Sequence, residues 1–224
     1  NTFLTKNMQV LVYGKWENQS KNIKPFFTAT YSEKEIQNSE VRIQKKELKE
    51  EIKFLYVGTL SPGKQPLYVL ELIHVLIKKG YNATVEFYGE GSQRAILEEF
   101  IHDNNLECRA VLKGNKTKEE VEKAYKNSHF LILPSKSEGW PKVVAEAMFW
   151  SCLPIATKIS CVPYMLDYGH RGVLLEDHLD KDVLQIQDLI EDENKYQVMS
   201  QKAQAWSREY TLEFFEAEIK KLLL

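Results

Sequence analysis

Little in these 224 residues points to disulfides, metals or membranes. There are three cysteines, Cys108, Cys152 and Cys161. An odd number without C-x-x-C spacing supplies neither a disulfide framework nor a zinc site, so buried, reduced thiols in a cytosolic compartment are expected. The histidines (His74, His102, His129, His170, His178) never stand at i, i+4, and no metal site is expected from them. No apolar run reaches the length of a membrane span, and no secretory signal pattern is visible. An excess of one charge is missing as well. Lys and Arg number 30 against 32 Asp and Glu, which argues against a general nucleic-acid binder, since those carry a basic surplus. The chain opens on Asn1 instead of Met, so it is expected to be a piece of something longer.

What is present suits a soluble globular domain: 43% apolar and 28% charged residues, in a chain long enough to bury a real core. From Lys53 onward β-rich runs alternate with helical patterns. "KFLYVG", "ATVEFYG", "CRAVLKG", "HFLIL", "LPIAT" and "GVLL" read as strands. Between them "LYVLELIHVLIKKG", closed by Gly80, "SQRAILEEFIHDNN", "EEVEKAYKNS" and "PKVVAEAMFW" read as helices. This rhythm implies parallel β-α-β units, hence an α/β, Rossmann-like, doubly wound sheet. Ligands of such sheets sit beyond the carboxyl ends of the strands. The first fifty residues lack the rhythm. "MQVLVYG" and "PFFTATYS" read as strands, and Ser32 with Glu35 as a capping box opening a short helix. The run "EVRIQKKELKEE" reads as a solvated helix or linker. The expected division is residues 1–51 and 52–224, the second ending in helices.

Three loops at strand carboxyl ends carry candidate chemistry. In "GTLSPGK" Lys64 can reach a phosphate as a point charge, or is a surface lysine in an ordinary turn. "YGEGSQR" offers Gly89 and Gly91 for close backbone approach to a ligand, but Arg94 stands where a dinucleotide fingerprint needs glycine. The third is "SEGWPKVVAEAM". Pro141 suits the first helical position, so the amides of Gly139, Trp140 and Lys142 can point at an anion. Glu138 near that terminus gains about 0.3–1 kcal/mol from the helix dipole. Glu146 is different. It sits among Val143, Val144, Ala145, Ala147 and Met148, where a carboxylate is costly unless something hydrogen-bonds to it. A ribose diol offers two donors. One helix could hold a nucleotide's phosphates at its start and the ribose further in.

The Glu138-x7-Glu146 spacing resembles the signature of retaining GT-B glycosyltransferases of family 4. The similarity runs in order through "VGTLSPGK", "FYGEGSQ", "LKGNKTKEEVEKAYKNSHFLILPS" and "PIATKISCVPYMLDYGHRGVLL", with "AQAWSREYTLEFF" like the family's tail. The resemblance implies one half of a GT-B fold, the carboxyl-terminal donor-binding half. It implies that Lys64 contacts the diphosphate, Glu138 the transferred sugar and Glu146 the ribose. Thr59, Gly89 and Gly91 fall in its donor loops, and Lys113 and Gly114 at its base-contacting strand end. The implied reaction is transfer of a hexose with retention, from a UDP-sugar or GDP-sugar to a saccharide or lipid-linked acceptor. No metal or other cofactor is implied. Residues 1–51 would be the tail of the missing acceptor domain plus a linker, so this chain alone should transfer little.

Three positions depart from the family pattern. Thr59 replaces an arginine, Ser151 a glycine and Tyr164 a glutamate. Trp140 either shapes the sugar pocket or caps the core. The implied setting is cytoplasmic, in the building of a surface polysaccharide, with peripheral membrane association left open. Two other readings stand beside transfer: a non-catalytic nucleotide-sugar-binding module, and a GT-B sugar-nucleotide epimerase, which would interconvert donors without acceptor.

Overall fold

The computed structural model describes residues 8–14, 20–38, 46–48 and 51–223. Six parallel strands form the central sheet in the order β5-β4-β3-β6-β7-β8. They are β3 (Ile52–Val57), β4 (Ala83–Tyr88), β5 (Ala110–Gly114), β6 (Phe130–Leu133), β7 (Leu153–Thr157) and β8 (Val173–Leu175). The crossovers are α2 (Pro66–Lys78), α3 (Arg94–Asp103), α4 (Lys118–Asn127) and α5 (Lys142–Phe149), with α6 (Val162–Met165) before β8. Three helices follow: α7 (Leu179–Glu191), α8 (Glu193–Arg208) and α9 (Leu212–Leu223). The expected doubly wound sheet is present, with every predicted strand from Lys53 onward in place.

Burial follows position in the sheet. β6 and β7 are buried at every residue, as continuous apolar runs between two helical layers should be. β4 alternates, burying Ala83, Val85 and Phe87. The other face of β4 and β5 lines an open groove of about 590 Å³ against α4, where Glu86 pairs with Lys113 at 2.9 Å. Helix α2 buries Val69, Leu70, Leu72, Ile73 and Leu76. It ends as predicted at Gly80 (φ +93°), where the Tyr81 amide reaches back to Leu76 O.

The amino-terminal residues form a two-stranded parallel pair, β1 (Val10–Tyr13) and β2 (Ile23–Phe26), then α1 (Glu33–Asn38). The Ser32 capping box is made, with Ser32 N donating to Glu35 Oε2 at 2.6 Å. The strand read at "PFFTATYS" is displaced: β2 stops at Phe26 because Phe27 and Tyr31 turn inward. Phe27 stacks on Phe214, and Tyr31 packs at a tilt against Phe149. Aromatic burial outweighs local strand propensity there.

Much of the charged run at 40–51 lies outside the described residues, but Lys46 is not a solvated side chain. Its Nζ donates to the carbonyls of Tyr125, Ser128 and Trp150 at 2.8, 2.6 and 3.1 Å. Those carbonyls end α4 and α5, where no intrahelical donor remains. Burial pushes the Lys46 ammonium down to about 8. The cysteines also divide: Cys152 and Cys161 are buried, whereas Cys108 is exposed.

His129 is a structural residue. Nδ1 accepts from Lys53 N at 2.9 Å, which fixes the proton on Nε2, 3.1 Å from Glu47 O. Burial, with Lys46 beside it, lowers its pKa from 6.5 to about 4. The unfolded chain therefore binds the proton first as pH falls. His129 stabilises fully above about pH 6.5 and loses that contribution as pH drops toward 4, about 3 kcal/mol in all. Urea midpoints at pH 7 and 5 should differ less for His129→Gln than for the parent. Equal differences would contradict the assignment.

Candidate functional site

Two turns meet where β3 and β6 end. After β3 the chain passes Gly58, Thr59 and Leu60 into a short 3-10 turn, Pro62–Lys64, and enters α2 through Gln65. Tyr56, fully buried beneath, donates its hydroxyl to Thr59 O at 2.8 Å. After β6 the chain runs through Ser135 and Lys136 to Glu138, and Lys136 N donates to Gly63 O at 2.8 Å. These bonds bring Lys64 Nζ to 2.5 Å from Glu138 Oε1. The side chains are 31% and 11% exposed, respectively. A cation from the first turn and an acid from the second thus form one ion pair at the mouth of α5.

Pro141 stands one position earlier than expected, as the N-cap of α5, and Lys142 is the first helical residue. Among the described residues the amides of Gly139, Trp140 and Lys142 donate to no backbone carbonyl. They are free donors at the positive end of the helix dipole. The Gly139 carbonyl is held from behind by Cys161 Sγ at 3.0 Å and Ser160 Oγ at 3.3 Å. Trp140 is 7% exposed and packs on Tyr13, Trp206 and Tyr210. Of its two readings, the side chain takes the core one; only its backbone faces the mouth of the helix.

Glu146 needs no ligand to satisfy it. Thr30 Oγ1 donates to Oε1 at 2.9 Å and the Tyr125 hydroxyl to Oε2 at 3.2 Å. The inference from an unpartnered carboxylate to a ribose therefore loses its premise. Each oxygen keeps a second lone-pair position, so a diol can still be accommodated. Neither Thr30 nor Tyr125 was identifiable in advance: they come from a loop 116 residues and a helix 21 residues away.

The glycines of the β4 loop answer to another strand. A Cβ on Gly89 would lie 2.0 Å from Gly58 O, and one on Gly91 would lie 2.3 Å from Leu60 O. The close approach is between two loops of the protein, stitched by Gly58 N to Tyr88 O and Leu60 N to Glu90 O. Gly114 (φ +73°) adjoins the Glu90 carboxylate. Lys113 is paired with Glu86 on the open sheet face, apart from the Lys64–Glu138 pair. Thr59 is exposed and contributes no cation. Tyr164, in place of an acid, contacts Tyr210 and Trp206. Ser151 has φ +56°, a conformation glycine adopts without strain.

Comparison with known proteins supplies the remaining finding. The family model described as glycosyl transferases group 1 matches residues 37–206. An uncharacterized glycosyltransferase of Methanocaldococcus jannaschii, MJ1178, is 27% identical over 169 residues, 75% of this chain and 46% of that protein. The capsular polysaccharide biosynthesis glycosyltransferase CapH of Staphylococcus aureus is 32% identical over 121 residues, 52% of this chain and 33% of its own. The chain thus spans less than half the length of either. Among solved structures, Anabaena Alr3699/HepE in complex with UDP and glucose superposes with a TM-score of 0.75 at 15% identity, over 96% of this chain and 62% of that one.

Proposed function

Because this chain belongs to the glycosyl transferases group 1 family, we propose that it is the donor-binding half of a retaining hexosyltransferase. The observation that carries the reading is the Lys64–Glu138 pair beside the free amides of α5. Together they offer a cation and backbone donors for a diphosphate, and an acceptor for sugar hydroxyls. On binding, a UDP-sugar or GDP-sugar takes Lys64 over from Glu138. The diphosphate receives Lys64 and the amides of Gly139, Trp140 and Lys142, Glu138 turns to the hexose, and Glu146 receives the ribose. Thr59, Gly89 and Gly91 shape the loops around the phosphates, and Lys113 with Gly114 meets the base.

The bond from the anomeric carbon to the diphosphate breaks as that carbon bonds the acceptor hydroxyl oxygen on the same face. The proton passes to the departing diphosphate. Charge stabilisation on this leaving group is the main catalytic contribution. The acceptor is a saccharide or lipid-linked saccharide, held through an amino-terminal domain for which residues 1–51 are tail and linker. The CapH relative, named for capsular polysaccharide biosynthesis, supports a polysaccharide product; a cytoplasmic setting, or the inner membrane face, is part of the proposal. No described helix is long and apolar enough to cross a membrane.

Titration calorimetry of the full-length protein with UDP and GDP tests the donor site. One of the two should bind, and Glu146→Ala should weaken it about 10-fold or more, as expected for lost hydrogen bonds to a charged group. Thr30→Val, which removes only the protein partner, should leave affinity within about twofold and so separates ribose contact from local packing. Equal affinity in parent and Glu146→Ala would remove the ribose assignment. One observation favours a binding module instead: Thr59 leaves Lys64 as the turn's sole cation. Nucleotide-sugar binding by the full-length protein without any transfer product would decide for that module.

A further inference from the structure

The peptide group between Gly139 and Trp140 stands at the mouth of α5, and its two ends are treated differently. Its carbonyl oxygen is approached by Cys161 Sγ at 3.0 Å and by Ser160 Oγ at 3.3 Å. Its N–H, the amide of Trp140, has no backbone acceptor among the described residues. A trans peptide holds C=O and N–H on opposite sides of its plane. Fixing the oxygen toward Cys161 therefore turns the N–H away from that loop, out at the helix mouth.

Both side chains come from the short loop between β7 and α6. Thr157, the last residue of β7, anchors it by donating its hydroxyl to Ser135 O in the loop after β6. Cys161 is 4% exposed, and burial pushes its thiol up to about 11. At neutral pH it is thus an S–H donor, with the Gly139 carbonyl as acceptor. Ser160 has φ +49°, a left-handed conformation uncommon in a residue with a Cβ. Such strained residues persist where the surroundings over-determine them, and they cluster at ligand clamps. The end of β1 closes the arrangement. A Cβ on Gly14 would lie 2.8 Å from Cys161 Cβ, and one on Gly139 would lie 3.3 Å from the Tyr13 ring.

We propose that Ser160 and Cys161 are positioning residues of the donor site: their hydroxyl and thiol lock the Gly139–Trp140 peptide so that its N–H meets the diphosphate. The proposal rests on the donor reading above. A carbonyl that accepts two hydrogen bonds polarises its own peptide group, and the N–H at the other end becomes a better donor. Bonds from such a donor to an anion are the strong kind. Both side chains act through the peptide and not by contact with the nucleotide, so their effect falls on the phosphates and spares the nucleoside.

The test is calorimetry on the full-length protein. Whichever of UDP and GDP binds is titrated beside its own nucleoside, uridine or guanosine. In the double variant Ser160→Ala/Cys161→Ala the nucleotide should bind about three- to tenfold more weakly, the scale of one lost hydrogen bond. The nucleoside carries no phosphate and should bind that variant within about twofold of the parent, below that scale. Cys161→Ser restores a donor at the same place, so it should hold the nucleotide within about twofold of the parent, whereas Cys161→Ala should not. Nucleotide affinity unaltered in the double variant would overturn the proposal. So would an equal loss of nucleotide and nucleoside, the mark of a loosened loop, or a Cys161→Ser variant no better than Cys161→Ala. A parent that binds neither nucleotide would remove the donor reading and this proposal together. A parent that binds, with variants that bind as well, would remove the proposal alone.

Discussion

Lys64→Ala in the full-length enzyme is expected to lower kcat about 10²–10³-fold, the usual cost of losing one fixed donor to a developing negative charge. The reasoning starts from the turn. Position 59 is threonine, so Lys64 is the single cation that the β3 loop brings to the mouth of α5. Loss of its ion pair with Glu138 should cost little stability, because partly solvated pairs contribute about 0–1 kcal/mol. A large kinetic effect with a nearly unchanged melting temperature is therefore the expected pattern. Lys64→Arg should recover only part of the rate, since a planar fork cannot occupy the place of a point charge without moving the turn. Transfer within about threefold of the parent, against the 10²–10³ expected, would remove Lys64 from the mechanism.

Gly89→Ala should destabilise the domain by about 2–4 kcal/mol, in the range of overpacked or conformationally forbidden sites. Its Cβ would stand 2.0 Å from the Gly58 carbonyl oxygen, and φ is +142°. Backbone, not a movable side chain, is the obstacle, so the β3 and β4 loops must separate. Because the β3 loop continues into Lys64, nucleotide affinity should fall with stability. Gly63→Ala is the control: a Cβ there meets nothing within 4 Å, and the effect should stay within about 0.5 kcal/mol. Urea midpoints report both. Equal midpoints for the two variants would show that the loops are not in contact as described.

The alternation of strands and helices was legible because each central strand is a short apolar run and each helix shows its stripe. "HFLIL" and "LPIAT" became fully buried strands for that reason. Capping was legible as well, since Ser32 and Glu35 act on each other's backbone within one turn. What escaped depends on partners distant in the chain. Glu146 looked unsatisfied until Thr30 and Tyr125 were brought to it. Lys46 looked solvated until the ends of two helices converged on its ammonium. Gly89 and Gly91 were read as positions where a ligand comes close, whereas the groups packed against them are the backbones of Gly58 and Leu60. Trp140 joined an aromatic cluster built from Tyr13, Trp206 and Tyr210, which no local pattern connects.

A crystal structure of the full-length protein with UDP bound tests the donor site most directly. The account predicts diphosphate oxygens within hydrogen-bond distance of Lys64 Nζ and the α5 amides, ribose hydroxyls on Glu146, and the Lys64–Glu138 pair opened. A nucleotide lodged elsewhere, with that pair closed and Glu146 still held only by Thr30 and Tyr125, would contradict it.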